Sequence, residues 1–262
     1  MANLKTYTLI TGASGGIGYN LAELAAADGK NLVLAARSGD KLDRLASDIR
    51  KKNKTEIITI AVDLSEEAGV TKLISEITSK NLQVDTLINN AGFGDFGDFA
   101  KADLEKNMEM IRLNISTLTR LSHFFVQGML SAGQGRIMNV ASTAAFMPGP
   151  GMAVYYASKA YVLSFSEALT RELKGTGVTV TTLCPGPTDT GFATSAGLGK
   201  SLLHRILPAA TSPEVAKAGY KSMMKGKAII IPGFMNKLSA FTPRFSPRSM
   251  VRNMIYGIHK NH

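Results

Sequence analysis

Two hydrophobic patterns alternate along the chain. Short, continuous apolar runs predict buried strands, and the longer segments between them place apolar residues at helical spacing. The predicted strands lie at residues 7–12, 31–37, 57–64, 86–92, 135–142, 178–186 and 227–233. Apolar strands that alternate with helices are typical of a parallel sheet that helices cover on both faces. The pattern therefore predicts an α/β fold with one doubly wound parallel sheet of about seven strands.

The sequence predicts a single domain from residue 1 to residue 262. It shows no linker, internal repeat or low-complexity tract, and 262 residues with 45% hydrophobic content are enough to bury one substantial core. Only the end differs, because residues from about 234 to 262 form a basic tail that prolines interrupt. Within this tail we expect an amphipathic helix at about 246–258, with Met250, Met254 and Ile255 on one side.

Cysteine content and the N-terminal sequence favour a soluble, cytoplasmic protein. Cys184 is the only cysteine, so we expect no internal disulfide and a small, buried apolar side chain. The first residues lack the long apolar region and cleavage site of a signal peptide. No apolar run approaches the roughly 20 residues that a membrane-spanning helix needs.

The net charge of +10 arises in the last part of the chain. Residues 1–189 contain 19 basic and 19 acidic residues, whereas residues 190–262 contain 11 basic residues and one acid, Glu214. Such asymmetry can attract nucleic acid, an anionic membrane surface or an acidic substrate, or can serve solubility alone. We expect no nucleic-acid partner, because the sequence has no recognition motif for one. Contact of the basic tail with a membrane surface stays an open alternative.

A glycine-rich turn lies between the first predicted strand and the first helix. Gly12, Gly16 and Gly18 allow a tight turn and a close approach of the backbone to a ligand. The N-terminus of the following helix suits a pyrophosphate, and this strand–turn–helix context is that of the dinucleotide-binding fingerprint. Arg37, 19 residues after Gly18, stands where an acidic residue would select NAD(H). We therefore expect NADP(H) rather than NAD(H) as the cofactor.

The same turn also spells G-x-S-x-G at residues 12–16, which is the nucleophile elbow of an α/β-hydrolase. A hydrolase would also need a histidine in a loop that follows a strand of the sheet. The four histidines are His123, His204, His259 and His262, and none is predicted in such a loop. The sequence does not favour a hydrolase.

The helix that begins near residue 153 reads AVYYASKAY, with three tyrosines around Lys159. Tyr155 and Tyr156 lie four and three residues before the lysine and share its helix face, whereas Tyr161 lies two residues after it and points away. An ammonium group lowers the pKa of a nearby phenol, which is about 10 when free, and makes it a better proton donor or base. Spacing alone leaves both Tyr155 and Tyr156 as candidates.

Six motifs in the right order resemble the short-chain dehydrogenase/reductase family, and in particular its NADP(H)-dependent bacterial members related to ketoacyl and 17β-hydroxysteroid reductases. They are the glycine turn at 11–18, NNAG at 89–92, Asn114, Ser142, Y-x-x-x-K at 155–159 and PGPTDT at 185–190. The resemblance implies a Rossmann-like fold. It also selects Tyr155, four residues before Lys159, as the reactive tyrosine.

The resemblance implies roles for the catalytic and cofactor-binding residues. Tyr155 is the general acid or base, and Ser142 binds the substrate oxygen. Lys159 lowers the pKa of Tyr155 and holds the nicotinamide ribose, while Asn114 orders a water that leads to Lys159. Hydride comes from the nicotinamide, and no metal site is expected. The implied cofactor contacts are Gly12, Ser14, Gly16, Ile17, Gly18, Arg37, Asp63, Leu64, Asn90, Ala91, Gly92, Tyr155, Lys159, Pro185, Gly186, Thr188 and Thr190.

The resemblance also places a substrate-covering segment at about residues 191–225. A largely apolar substrate pocket is expected from this segment together with several large side chains. These side chains are Phe93, Phe96, Phe146, Met147 and Met152. The basic end of the chain suggests a substrate with an anionic handle, such as an acyl-CoA or acyl-carrier thioester.

These features predict an NADPH-dependent oxidoreductase that transfers hydride between nicotinamide and a carbonyl or alcohol substrate of ketone, aldehyde or 3-oxoacyl type. The alternative is a sensor or scaffold protein that binds NADP(H) without turnover. The intact set of Asn114, Ser142, Tyr155 and Lys159 favours the enzyme, since a silent relative need not retain all four. The resemblance further implies a homodimer or homotetramer.

Overall fold

A parallel sheet forms the centre of the protein in a computed structural model, which describes residues 5–192, 196–197 and 209–260. Its strands are β1 (Thr6–Thr11), β2 (Asn31–Ala36), β3 (Ile57–Ala61), β4 (Gln83–Asn89), β5 (Gly135–Val140), β6 (Val178–Leu183) and β9 (Ile229–Ile230). They lie in the order β3-β2-β1-β4-β5-β6-β9, and every neighbouring pair is parallel. The predicted seven-stranded sheet is confirmed. A second, parallel pair of strands, β7 (Thr188–Asp189) and β8 (Ala210–Thr211), was not predicted.

Helices cover both faces of the sheet. The described α-helices are α1 (Gly16–Ala27), α2 (Gly39–Lys52), α3 (Glu67–Ser79), α4 (Leu104–Ile111), α5 (Leu118–Ser131), α6 (Ala153–Glu172), α7 (Ser212–Met224), α8 (Phe234–Phe241) and α9 (Arg248–Lys260). Successive strand residues point to opposite faces, so Leu32 of β2 belongs to the buried cluster that contains residues of α1, α2 and α7, while Val33 belongs to the cluster that contains residues of α3 and α5. The doubly wound arrangement is confirmed.

The order in which successive strands are added to the sheet reverses at its middle. β1 pairs with β2 on one side and with β4 on the other. The connections from β1 and from β4 therefore leave in opposite directions, and a crevice forms between them at the carboxyl ends of the strands. The glycine turn follows β1 and the segment Asn90 to Gly92 follows β4, so two predicted cofactor segments meet at this crevice.

The basic tail folds back onto the protein as α8 and α9. α9 confirms the predicted helix at about 246–258, but part of the predicted face is wrong. Ile255 is buried with Val251 and His259, one turn before and one turn after it, whereas Met250 and Met254 are 62% and 53% exposed. Spacing of four residues sets the buried face, and the two methionines lie outside it.

The outer surface of α8 and of the 3₁₀ turn that follows it (Thr242–Phe245) is apolar and basic. Phe234 and Phe245 are 79% and 75% exposed, and Lys237 and Arg244 line a groove beside them. Among the described residues, the structure has no helix with the length and apolar character needed to cross a membrane.

Candidate active site

A cavity of about 390 Å³ opens at the crevice, within the size range of ligand sites. The predicted site residues in its wall are Gly12, Ser14, Gly16, Ile17, Asn90, Ala91, Gly92, Ser142, Tyr155, Lys159, Pro185, Gly186, Thr188 and Thr190. The structure thus brings most of the predicted residues together. Gly18, Arg37, Asp63, Leu64 and Asn114 lie outside this wall.

The glycine turn packs so closely against the end of β4 that a side chain would not fit. Gly12 has a left-handed φ of +65°, and a Cβ on it would lie 2.9 Å from the Cα of Ala91. A Cβ on Gly18 would lie 2.4 Å from the carbonyl oxygen of Gly12. Asn90 holds the turn in place, because its Nδ2 donates to the carbonyl oxygens of Thr11 and Gly12 at 3.0 and 3.1 Å. Gly18 therefore supports the turn from behind the cavity wall.

The first turn of α1 offers backbone donors at the cavity. α1 begins at Gly16, and its N-cap residue, Gly15, has no side chain that could accept from the first N–H groups of the helix. Gly16 also approaches the opposite wall, since a Cβ on it would lie 3.0 Å from the Cγ2 of Thr190. This narrow cradle of backbone and small side chains fits the phosphate groups of a dinucleotide.

The ends of β2 and β3 place Arg37 beside Asp63. Nη1 of Arg37 lies 3.9 Å from Oδ2 of Asp63 and 3.7 Å from Oε1 of Glu109, and the arginine side chain is 69% exposed. Exposed ion pairs of this length are weak, so the guanidinium is free to reorient toward a ligand. Oδ1 of Asp63 accepts hydrogen bonds from the backbone N–H and the hydroxyl of Ser65. Asp63 therefore orders the loop between β3 and α3. It does not cap α3, because the N-cap position of that helix is Glu66.

Ser142 is fixed by the loops that follow β5 and β6. Its Oγ accepts a hydrogen bond from the backbone N–H of Ala144 at 3.1 Å and donates to the carbonyl oxygen of Pro185 at 3.4 Å. Tyr155, in the first turn of α6, is buried and lies close enough to Ser142 for the serine side chain to influence its pKa. The ring of Phe192 packs on Tyr155, with their ring centroids 5.3 Å apart. A hydroxyl pair is thus held in an apolar part of the cavity.

Lys159 reaches the same place from the next turn of α6. Its Nζ donates to the carbonyl oxygen of Val140 at 2.9 Å and lies 5.8 Å from the centroid of the Tyr155 ring. The side chain is only 6% exposed. The structure therefore confirms that Lys159 and Tyr155 share a helix face.

Burial controls the proton affinities of both side chains. It raises the pKa of Tyr155 to about 12, although the hydrogen bond from Ser142 acts in the opposite direction. It also lowers the pKa of Lys159 to about 8. The expected depression of the Tyr155 pKa is not seen, because burial, the largest effect on this phenol, raises its pKa.

Asn114 lies in a π-helical segment, Arg112–Thr117, between α4 and α5. Such wide turns inside helices often occur at functional sites. Nδ2 of Asn114 donates to the carbonyl oxygen of Phe93 at 2.9 Å and to Oγ of Ser158 at 3.0 Å, while Oδ1 accepts from the N–H of Phe93. A Cβ on Gly92 would lie 2.8 Å from Asn114 Oδ1 and 3.4 Å from Lys159 Nζ. Asn114 and Lys159 therefore flank the same glycine.

The predicted apolar side chains divide between two places. Met152 lines the cavity, and Phe93, Phe96 and Met147 pack against the buried cluster that contains Tyr155. Phe146 instead lines the separate groove beside α8. Of the five predicted side chains, Met152 is the one in the described cavity wall, while Phe93, Phe96 and Met147 pack behind it.

Two contacts from the tail were not predicted from the sequence. His259 of α9 lines the cavity, although the tail gave no reason to bring it there. Asn236 of α8 packs against Gly186 of the cavity wall, since a Cβ on Gly186 would lie 2.2 Å from its Oδ1. The sequence does contain a signal for the burial of His259, because it lies four residues after Ile255 and eight after Val251, on the same face of α9.

The predicted substrate-covering segment at about 191–225 is described only in part. Residues 193–195 and 198–208 lie outside the described part of the chain. Ser212–Met224 forms α7, which packs into the core through Val215 and Ala216 and, as far as the structure describes the chain, does not contribute to the cavity wall.

Cys184 is buried directly behind the site, as predicted, and is a free cysteine. Burial raises the pKa of its thiol to about 12, so the group stays protonated and unreactive at neutral pH. Among the described residues, no group of three or more potential ligand side chains could hold a metal ion.

Comparison with protein families and curated proteins gives a consistent result. The family model described as short chain dehydrogenase matches residues 6–200. The chain is 35% identical over 182 residues to an uncharacterized oxidoreductase of Staphylococcus saprophyticus, a match covering 70% of this chain and 78% of that protein. It is 33% identical over 186 residues to the human very-long-chain 3-oxoacyl-CoA reductase, a match covering 70% of this chain but only 59% of the human protein.

Comparison with solved structures extends the similarity over nearly the whole chain. A short-chain dehydrogenase from Sphingobium yanoikuyae, solved in complex with NADPH, superposes with a TM-score of 0.80 at 30% sequence identity. The superposition covers 92% of this chain and 93% of that one.

Proposed function

The chain belongs to the short-chain dehydrogenase/reductase family and is an oxidoreductase of CH–OH and C=O groups, and we propose that it reduces a carbonyl substrate with NADPH. The observation that carries the proposal is the cavity itself, in which Ser142, Tyr155 and Lys159 lie next to a glycine turn and an uncapped helix N-terminus. When bound, NADPH supplies the hydride.

The proposed cofactor site runs from the end of β2 to the loop after β6. Gly12, Gly16 and the first turn of α1 hold the phosphates, and Arg37 pairs with the 2′-phosphate of NADPH. Asp63 and Leu64 lie at the adenine side. At the nicotinamide side we place Asn90, Ala91, Gly92, Pro185, Gly186, Thr188 and Thr190. The complex of the Sphingobium yanoikuyae relative with NADPH supports this assignment.

The proposed proton donor is Tyr155. With a pKa of about 12 its hydroxyl remains protonated throughout the neutral range, which is the form that reduction requires. Ser142 hydrogen-bonds the substrate oxygen and orients it toward the Tyr155 hydroxyl. Lys159 holds the nicotinamide ribose and stabilises the phenolate that forms as the proton leaves. Asn114 and Lys159 flank Gly92, a geometry that supports a water between them as the route for proton return.

The proposed substrate is a 3-oxoacyl thioester or another ketone or aldehyde with an apolar body and an anionic handle. The apolar wall around Met152 and Phe192 and the basic end of the chain support it. The name of the human relative supports the 3-oxoacyl class, although the chain spans 59% of that protein. The proposal of an anionic handle is refuted if 3-oxoacyl thioesters turn over no better than neutral ketones and if their turnover does not depend on salt concentration.

The sensor or scaffold alternative is not favoured. The described structure brings Ser142, Tyr155 and Lys159 into one cavity, with Asn114 directly behind Gly92. A protein that only binds the nucleotide has no need for this hydroxyl–amine constellation in an apolar pocket.

The test is the loss of nicotinamide absorbance with NADPH, and then NADH, over a panel of ketones, aldehydes and 3-oxoacyl thioesters. Tyr155→Phe should lower kcat/KM by about 100-fold or more, since it removes the proton donor. Tyr156→Phe should lose much less, and Tyr161→Phe is the matched control on the same helix. Equal loss at Tyr155 and Tyr156, or activity that depends on Tyr156 alone, would contradict the assignment.

We further propose that the protein is cytoplasmic and forms a homodimer or homotetramer, and that its basic tail can contact an anionic membrane surface. The exposed Phe234 and Phe245, with Lys237 and Arg244 beside them, support a contact surface there. Light scattering tests the assembly, and sedimentation with anionic vesicles tests the membrane contact. A monomer that stays in the supernatant would refute both.

A further inference from the structure

Tyr156 and His259 form a polar pair in the cavity wall that the proposed chemistry does not use. Both side chains are buried, at 7% and 4% exposure, and they come from two different helices, α6 and α9. Their rings meet edge to face with centroids 5.9 Å apart, and the ring of Phe96 also meets the imidazole edge to face, with centroids 5.8 Å apart. Buried polar groups normally have hydrogen-bond partners, so the contacts of this pair indicate what it can bind.

The loop between β5 and α6 is shaped around the pair. A Cβ on Gly149 would lie 2.2 Å from the ring of Tyr156, so the ring rests directly on the backbone at that position. Gly151 has a left-handed φ of +82°, and a Cβ on it would approach Phe96 at 3.2 Å and His259 Nδ1 at 3.7 Å. The sequence MPGPGM at 147–152 is thereby accounted for, since a side chain at either glycine would displace one ring or the other.

Hydrogen bonding fixes what each member of the pair can offer. Nδ1 of His259 contacts the carbonyl oxygen of Pro150, which can only accept, so Nδ1 carries a proton. In the neutral imidazole Nε2 is then an acceptor. Nε2 lies 3.5 Å from the hydroxyl oxygen of Tyr156, at the long limit of a hydrogen bond. Burial raises the pKa of Tyr156, so its hydroxyl remains a donor. The pair therefore presents one donor and one acceptor, each only weakly satisfied by the other.

One donor beside one acceptor is the complement of an alcohol. A hydroxyl group can accept from Tyr156 and donate to Nε2 of His259 at the same time, whereas a ketone or ether oxygen can use only the tyrosine. We propose that Tyr156 and His259 form a subsite for a second, alcoholic hydroxyl of the substrate, and that the enzyme selects hydroxylated carbonyl compounds. The proposal rests on the proposed reductase function only for the identity of the reacting carbonyl.

The experiment compares ω-hydroxy-2-alkanones, from 4-hydroxy-2-butanone to 8-hydroxy-2-octanone, each with its parent 2-alkanone. For at least one chain length the hydroxyl should lower KM by about tenfold, the effect of one to two additional neutral hydrogen bonds. Tyr156→Phe and His259→Leu should each remove most of this advantage, while His259→Gln, which keeps a polar side chain, should retain more of it than His259→Leu. Tyr161→Phe and His123→Gln change the same residue types on exposed helix surfaces and should leave the ratio between paired substrates unaltered.

Calorimetric titration with the same compounds in the presence of NADPH separates this proposal from the reductase function. If the ketones are not reduced but the hydroxylated compound still binds about tenfold more tightly, and Tyr156→Phe abolishes the difference, the subsite stands and the reductase function fails. If no chain length shows a hydroxyl advantage in titration, the subsite is refuted, whether or not the ketones turn over. An advantage that survives both Tyr156→Phe and His259→Leu would also refute it, because the hydroxyl would bind elsewhere.

Discussion

Replacing Lys159 with methionine should change how protein stability depends on pH. Burial lowers the pKa of Lys159 to about 8 from its ordinary 10.5. Between these two values the unfolded chain binds the lysine proton and the folded chain does not. The free energy of unfolding therefore rises with pH across this window, and the penalty for burying the ammonium is fully present below pH 8.

The size of the effect follows from the two pKa values. At about 1.4 kcal/mol per pKa unit, the full window corresponds to about 3 kcal/mol. Between pH 7 and pH 9.5 the native protein should gain about 2 kcal/mol from this group. Tyr155 and Cys184, whose pKa values burial raises to about 12, act in the opposite direction once the unfolded chain loses their protons above about pH 9. Both are present in the variant, so the effect of their own burial cancels when the two proteins are compared, and only the smaller attraction between Lys159 and Cys184 differs.

The assay is urea unfolding of the native chain and of Lys159→Met at several values between pH 7 and pH 9.5. From pH 7 to pH 9.5 the free energy of unfolding of the native chain should rise by about 2 kcal/mol relative to that of the variant. Lys72→Met is the matched control, since Lys72 also donates to a backbone carbonyl, that of Ala61, but from an exposed position. A stability difference between native and Lys159→Met that stays constant within about 0.5 kcal/mol would refute the argument that burial controls this pKa.

Three further predictions concern the cofactor turn and the tail. Arg37→Gln should weaken NADPH binding by about tenfold and leave NADH binding unchanged, because only NADPH has the 2′-phosphate; equal loss for both in fluorescence titration would contradict the role. Gly18→Ala places a Cβ 2.4 Å from the carbonyl oxygen of Gly12, so NADPH binding and thermal stability should both fall; a variant with native values would show that the turn can relax. Ile255→Ala should lower the free energy of unfolding by about 2–4 kcal/mol and Met254→Ala by less than about 1, measured in urea; equal effects would reverse the assigned faces of α9.

Local pattern was sufficient to predict the sheet. β2 and β5 are short, largely apolar segments that differ from the helices around them, and their limits are within two residues of the prediction. β9 has only two residues in the sheet, although the apolar run that predicted it is longer. Which residues of that run pair with β6 depends on where the chain returns after α7, and no local pattern contains that information.

The candidate site was predictable where it depends on local motifs and not where it depends on distant contacts. Gly12 and Gly18 were found because a tight turn before a helix has few alternatives to glycine. His259 was missed, since its place in the cavity depends on how α9 docks on the loop at Pro150, more than 100 residues earlier in the chain. The register of α9 was also misjudged, because methionines were counted as core residues when Val251 and Ile255 form its buried face.

The pKa of Tyr155 shows why the chemistry of the site needs the fold. In the sequence only the charge partner, Lys159, is visible, and a charge partner alone predicts a depressed phenol pKa. In the folded protein both groups are buried, and burial moves each toward its neutral form, tyrosine upward and lysine downward. In the folded protein, burial therefore favours a neutral Tyr155.

Under the proposed function, this resting state is the useful one. Reduction needs a protonated Tyr155 at the start, and the phenol, already protonated at neutral pH with its ordinary pKa of about 10, stays so after burial. A phenolate appears only as the proton leaves for the substrate oxygen, and in a cavity of low dielectric its attraction to the ammonium of Lys159 is then much stronger than in water. An interaction that grows in this way stabilises the transition state more than the ground state, which is what catalysis requires. Burial thus changes Lys159 from a group that sets the charge of Tyr155 beforehand into one that acts during proton transfer.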